Sequence, residues 1–359
     1  MNHSQKKILF LSAGGRLGRN FLKHGPSEMF YGGKEFVKDG HNFEIIEIDG
    51  TEYKLCINKA LRAINFYFDK FFGFPIGFLL YLFKKNLLKK FNKYDQIIVV
   101  TARFGLPLMF LKKFFKLKPV VTYVTMGLVN RDTSLLKVLV YRALLSKEVQ
   151  ISTLSESETL YVSQKLKTSV EFIPFGVDSN YWTPSENINN SSDYVLSVGN
   201  DPRRDYNLLI SAWKKSYPKL VIISALPISS TKSNVEIIKG TWKGQELTDD
   251  EIKELYRNAS FVIVPNKESQ QPSGQSVTLQ AMSCGKAVIY SNIEGLWDKA
   301  VMVHMDNLLL YKPGNFEALS EKIEYALSNN INLNKIGLSA RKTIEQHYDV
   351  QSMADRILN

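Results

Sequence analysis

The chain has 359 residues, 44% hydrophobic and 23% charged, the balance of a folded globular protein and not of a disordered one. Its two cysteines, Cys56 and Cys284, are too few and too far apart for a disulfide scaffold, and its five histidines show no metal-ligand spacing, so a reducing cytoplasm is the expected compartment. The formal charge of +11 is lopsided: residues 1–180 hold 27 Lys and Arg against 15 Asp and Glu, residues 181–359 hold 19 against 20, and the first half is expected to face something anionic.

Along the chain, short apolar runs alternate with helical patterns. The first, "KILFLSA" (7–13), follows a basic start, but its apolar run is too short for a signal peptide and reads as a strand. Further runs at 43–48, 96–102, 119–125, 149–155 and 170–176 complete one set of buried strands. A second set follows at 193–199, 220–225, 235–240, 261–265, 287–291 and 302–305, with helices predicted at 205–215, 248–258, 276–284 and 315–328. Strand–helix alternation repeated twice predicts an α/β protein of two Rossmann-like, doubly wound parallel-sheet domains. The polar stretch "PSENINNSSD" (184–193) is the expected linker. The division is then 1–180, 181–345 and a C-terminal helix at 346–359 packing back towards the first domain. The default ligand site is the cleft between the two domains.

The first half also carries "FFGFPIGFLLYLFKKNLLKKFNKYD" (71–95), an uncharged and mostly apolar run followed by lysines, with "LMFLKKFFKLK" further on. The run is too short to span a bilayer. Residues 71–118 therefore read either as a buried helix with a solvated end or as a surface for an anionic membrane, which would make the protein peripheral on the inner face of the cell membrane. No nucleic-acid recognition module accompanies the charge, so nucleic acid is not an expected partner.

The chemistry-bearing loops lie in the second half. Ser273, Gly274, Gln275 and Ser276 fall between the strand "FVIVP" and the helix "VTLQAMSC", with Gly285 at the left-handed position past that helix. A glycine loop before a helix N-terminus offers free N–H groups and a partial positive charge, a combination suited to phosphate. In "LSVGNDPRRDYNLLISAW" (196–213), a strand ends at Gly199 and a loop carries Arg203 and Arg204, a pair able to clamp a diphosphate. Gly14 and Gly15 in "LSAGGRLG" would allow close approach of the first strand's loop to a ligand, or form a plain tight turn.

These segments together resemble the GT-B glycosyltransferases of the large retaining family 4. "FIPFGVDSNYWTP" (172–184), "VGNDPRRDYNLL" (198–209), "TDDEIKELYRNASFVIVP" (248–265), "LQAMSCGKAVIYS" (279–291) and "MFYGGKEFVKDGHNFEIIE" (29–47) carry the resemblance. It implies a nucleotide-sugar donor, UDP- or GDP-linked, held by the second domain, and a glycan or lipid-linked acceptor. It implies no cofactor and no metal, and a role in cell-surface polysaccharide or glycolipid synthesis. Arg204 falls on the family's diphosphate-binding lysine and Asn200 on its arginine. The family's Glu, seven residues, Glu pattern falls on Pro272 and Gln280. Gln280 retains the ability to bond ribose hydroxyls, and Glu268 stands in for the first glutamate. The family's N-terminal histidine has no counterpart near "VTMGLVN" (124–130). The alternative left open is a catalytically inactive nucleotide-sugar or glycan-binding protein of the same fold. An NAD-dependent oxidoreductase is disfavoured because no G-x-G-x-x-G follows any strand.

Overall fold

The computed structural model describes residues 5–13, 25–54, 57–185, 194–240 and 246–358. Two compact units are present. Unit 1 comprises Met1–His24, Met29–Ile173 and Ala354–Asn359; unit 2 comprises Gly25–Glu28 and Pro174–Met353.

Unit 1 is built on a six-stranded, wholly parallel sheet: β1 (Lys7–Ser12), β2 (Asn42–Glu47), β3 (Gln96–Val99), β4 (Val120–Thr125), β5 (Val149–Thr153) and β6 (Glu171–Phe172), in the order β2-β1-β3-β4-β5-β6. Its described helices are α1 (Gly33–Lys38), α2 (Gly50–Lys54), α3 (Lys59–Phe72), α4 (Ile76–Lys84), α5 (Leu87–Phe91), α6 (Ala102–Phe114), α7 (Leu135–Leu144) and α8 (Glu156–Leu166). Strands buried on both faces explain the near-continuous Val, Ile and Leu runs. Leu9, Leu11, Ile97, Val99, Val121 and Tyr123 form the centre of the core, covered by Phe78, Phe104 and Leu108. The apolar run at 71–83 is not one helix. Gly73 (φ +66) and Pro75 break it, and the axes on either side, Leu61–Phe72 and Ile76–Lys84, differ by 118°. Among the described residues no single helix is long and apolar enough to cross a membrane.

A buried carboxylate sits in this unit. Glu158, near the N-terminus of α8, accepts from the backbone N–H groups of Gly127 (2.6 Å) and Leu128 (3.3 Å) through Oε1. Its Oε2 is buried with no hydrogen-bond partner among the described residues. Burial pushes its pKa up to about 7, against the pull of the two N–H donors.

Unit 2 carries a second parallel sheet: β7 (Tyr194–Val198), β8 (Lys219–Ile223), β9 (Val235–Ile238), β10 (Val262–Val264), β11 (Val288–Ser291) and β12 (Leu309–Tyr311), in the order β12-β11-β10-β7-β8-β9. The sixth strand is displaced from its expected place at 302–305: there the chain makes only a bridge from His304 to Leu308, and the strand itself follows at Leu309–Tyr311. Helices α9 (Tyr206–Ala212), α10 (Asp249–Asn258), α11 (Gln275–Ser283), α12 (Phe316–Ser328), α13 (Asn330–His347) and α14 (Val350–Leu358) complete the order. α10 starts with a full capping box between Thr248 and Glu251. Most of the expected linker, residues 186–193, lies outside the described residues. The stretch just before it is structural: Trp182 is fully buried, Arg341 Nη1 donates to the carbonyls of Ser179, Trp182 and Ser283, and Val177 bridges to Asp349.

Candidate donor site

The strand order of unit 2 reverses between β7 and β10, each of which continues outward on its own side of the sheet. Open α/β sheets bind ligands at such a reversal, in the loops that leave the carboxyl ends of the two strands. Here those loops are 199–205 and 265–274. An antiparallel bridge from Arg204 to Asn266 joins them directly.

Arg204 is the hub, with only 6% of its surface exposed. Its guanidinium lies across two glycines. A Cβ at Gly199 would stand 2.5 Å from Arg204 Nε, and one at Gly274 would stand 2.9 Å from its Nη1 and 2.7 Å from Val264 Cγ1. Both glycines also have positive φ, +153° and +84°. Arg204 Nη1 donates to Asn266 Oδ1 and to Ser273 Oγ, the latter at 3.1 Å. Ser273 Oγ in turn donates to Asp201 Oδ2 at 2.7 Å. The Ser273 carbonyl is fixed by Asn266 Nδ2 (3.1 Å) and by the hydroxyl of Tyr290 (2.7 Å). Arg204 Nε is buried and has no hydrogen-bond partner among the described residues. Such a donor carries a desolvation cost until an acceptor meets it.

Arg203 and Arg204, adjacent in sequence, are separated in role. The Arg203 side chain is 44% exposed, and its Nη1 lies 3.5 Å from Asp201 Oδ1. That is a surface pair of small energetic weight, free to be exchanged for another anion. Burial works against the Asp201 charge, but the Arg203 N–H, the Ser273 hydroxyl and the two guanidiniums hold its carboxyl below the ordinary value.

Next to this hub begins α11. Gly274 is its N-cap, and no side chain caps the helix. The amides of its first turn, before Thr278 N donates to Gly274 O (3.0 Å), have no acceptor within the helix and add the positive end of the helix dipole. Gln275 is buried and Ser276 exposed. The C-terminal end follows the sequence reading: Gly285 takes φ +74 and donates to Met282 O, while Lys286 N donates to Ala281 O.

The remaining predicted residues are placed elsewhere. Asn200 braces the neighbouring strand ends, its Nδ2 donating to Gly240 O (3.0 Å) and its Oδ1 accepting from Ala225 N (2.5 Å). Glu268 braces its own loop: its Oε1 accepts from the N–H groups of Ser269 (3.0 Å) and Glu294 (2.8 Å). It makes no bond to Arg203, Arg204 or Ser273. Gln280 Nε2 donates to Glu28 Oε1 at 3.0 Å. Gly14 and Gly15 lie outside the described residues.

Glu28 is a residue that sequence reasoning missed. It is fully buried, and besides Gln280 it accepts from Trp182 Nε1 (2.7 Å) on Oε1 and from Asp178 N (3.1 Å) on Oε2. Burial pushes its pKa up to about 7, opposed by those donors. Nothing local marks Glu28 in the sequence, because its partners lie 150 or more positions away.

Residues 178–343 match the family described as glycosyl transferases group 1. This segment is thus similar to a group 1 glycosyltransferase domain. Across the whole chain, the fold is that of solved GT-B glycosyltransferases. Sucrose-phosphate synthase from Thermosynechococcus elongatus superposes with a TM-score of 0.71 at 17% identity, over 98% of this chain and 97% of that one. A glycosyltransferase from Rickettsia africae gives 0.70 at 16%, over 99% and 97%. Anabaena HepE in complex with UDP and glucose gives 0.70 at 17%, over 99% and 98%. No curated protein sequence matches the chain. The matched segment contains the whole hub around Arg204 and the start of α11.

Proposed function

We propose that the protein transfers a sugar from a nucleoside diphosphate sugar, UDP- or GDP-linked, to a glycan or lipid-linked acceptor. The observation that carries this reading is the buried Arg204, with an unmatched Nε, set beside the uncapped start of α11 at the reversal of the sheet. A buried cation, an exposed neighbour in Arg203 and the positive end of the α11 dipole suit the two phosphates of such a donor. The solved HepE complex with UDP and glucose supports the same ligand class in a chain of this fold.

In the reaction, the bond between the anomeric carbon and the donor phosphate oxygen breaks. The negative charge that develops on the diphosphate is met by Arg203, Arg204 and the amide end of α11 from Gly274 to Ser276, the Ser273 N–H being taken by Gln271 O at 2.7 Å. The acceptor oxygen bonds to the anomeric carbon on the same face, giving retention, and its proton passes to the departing phosphate oxygen. No metal is needed for charge stabilisation on this route. Gln280 is bonded to Glu28, so on this reading it meets ribose through its carbonyl oxygen. Glu268 offers its Oε2 to the sugar while the loop amides keep Oε1.

The test is turnover. Full-length protein incubated with UDP- and GDP-hexoses in a chelator, with and without membrane-derived acceptors, should release one nucleoside diphosphate. Release by the wild type and loss in Arg203→Ala is the expected pair of results. Tight donor binding without any release in the presence of all acceptors would instead favour the inactive binding protein.

A further inference from the structure

We infer that α3 and the start of α7, together with the lysines around α5, form a docking surface for an anionic lipid bilayer. This goes beyond the proposed transfer reaction and does not rest on it.

α3 is unusual for a helix of a globular unit. Of its described side chains only Asn65 is buried, where its Oδ1 accepts from Gly77 N at 2.7 Å. Its exposed residues nevertheless include six large apolar ones, Leu61, Ile64, Phe66, Tyr67, Phe68 and Phe71, with Phe66 57% and Tyr67 67% exposed, beside Lys59, Arg62 and Lys70. α7 adds Leu135, 71% exposed, and Leu136. The two helices are neighbours, since Lys137 Nζ stands 5.1 Å from the centre of the Phe71 ring and the Tyr141 hydroxyl donates to Phe72 O. A patch of this size and composition marks an interaction surface.

The aromatic surface continues towards a basic groove. Ring contacts run from Phe74 to Phe110 (6.0 Å), Phe110 to Phe115 (5.6 Å) and Phe115 to Phe83 (5.2 Å). Phe83 then lines a groove of about 520 Å³ together with Leu82, Leu88, Lys89, Lys93 and Lys118. None of these three lysines has a carboxylate partner among the described residues. Residues 59–118 hold 13 Lys and Arg against 2 Asp and Glu. One of those two acids, Asp69, is paired with Arg103 at 3.0 Å.

Charge decides the occupant. A second copy of the chain packed on the same face would set this excess of cations against itself. A nucleic acid would use the lysines but leave the Leu, Ile and Phe side chains of α3 in water. An anionic bilayer answers to both: headgroup phosphates for the lysines, the acyl boundary for the rings. The element lies in the interface and does not cross it, because 14 residues of helix span about 21 Å and the chain turns sharply at Gly73. The sequence left residues 71–118 open between a buried helix and a membrane surface; the exposed large apolar side chains of this surface begin earlier, on α3.

The experiment is flotation of the full-length protein with vesicles of phosphatidylcholine alone or with one-third phosphatidylglycerol. The wild type should float with the anionic vesicles, and less so as salt is raised. Two variants separate the contributions, both at exposed positions, with circular dichroism melts confirming the fold. Lys89→Glu with Lys93→Glu should weaken binding at least tenfold, since each basic residue near such a surface is worth roughly fivefold. Phe66→Ser, Tyr67→Ser and Phe71→Ser together should abolish the fraction that survives high salt. A wild type that floats with neither vesicle, or binding untouched by both variants, overturns the inference. So does self-association in sedimentation velocity that the α3 variant abolishes while the wild type stays off vesicles.

Discussion

Replacing Glu158 by Gln tests the electrostatics of unit 1 at a single atom. Glu158 Oε1 accepts two backbone N–H groups, and the variant's amide oxygen can keep both. Oε2, buried and without a partner, becomes an uncharged NH₂. The wild-type carboxyl is raised from 4.5 to about 7 in the folded state. A group raised in this way contributes stability that is complete below its unfolded pKa and is lost as pH climbs through its folded one. At about 1.4 kcal/mol per pKa unit, the loss between these limits comes to about 3 kcal/mol. Glu158→Gln should therefore match the wild type near pH 4 and exceed it by up to about 3 kcal/mol near pH 8. Urea unfolding at both values measures this, and Glu28, which shares the same window, cancels in the comparison. Equal destabilisation at both pH values, or an unchanged pH slope, would refute the argument that burial of Glu158 outweighs its two N–H donors.

Two more substitutions probe unit 2. Gly274→Ala should cost about 1–3 kcal/mol of stability, because the site has φ +84 and a methyl would press on Val264 and on the Arg204 guanidinium; a calorimetric melt unchanged from wild type would contradict the packing described. Gln280→Glu restores the residue type of the wider family but sets a carboxylate against the buried Glu28, 3.0 Å away. It should destabilise the protein by about 2 kcal/mol or more near neutral pH and progressively less in acid. Equal stability of this variant and the wild type at neutral pH would show that Glu28 is already neutral there.

The two-sheet architecture was legible because buried parallel strands write their burial directly as Val and Ile runs, as in "QIIVV" and "YVLSV". The sixth strand of unit 2 was misplaced because "MVHM" is apolar yet folds as a turn closed by Asn307, whose side chain bonds Val301 and Val303. Within the candidate site, the two loops and the left-handed Gly285 could be read from local motifs. What could not be read was pairing at a distance. Asn266 sits beside Arg204 across 62 positions, and Glu28 meets Gln280 across 252. The different burial of Arg203 and Arg204 likewise depends on Gly199 and Gly274 leaving space for only one of the two guanidiniums. The exposed aromatic face of α3 escaped notice because "AINFYFDKFF" reads as an ordinary amphipathic pattern until the packing shows that almost nothing covers it.

The most direct test of the central claim is a calorimetric titration of the full-length protein with UDP, GDP and ADP in the absence of metal, repeated with Arg204→Ala. The account predicts that one nucleoside diphosphate binds the wild type. It also predicts that the variant, still folded, binds it about 10- to 100-fold more weakly, the scale of a lost charged hydrogen bond of about 1.5–3 kcal/mol. A folded wild type that binds none of the three, or an Arg204→Ala protein that binds as well as the parent, would contradict it.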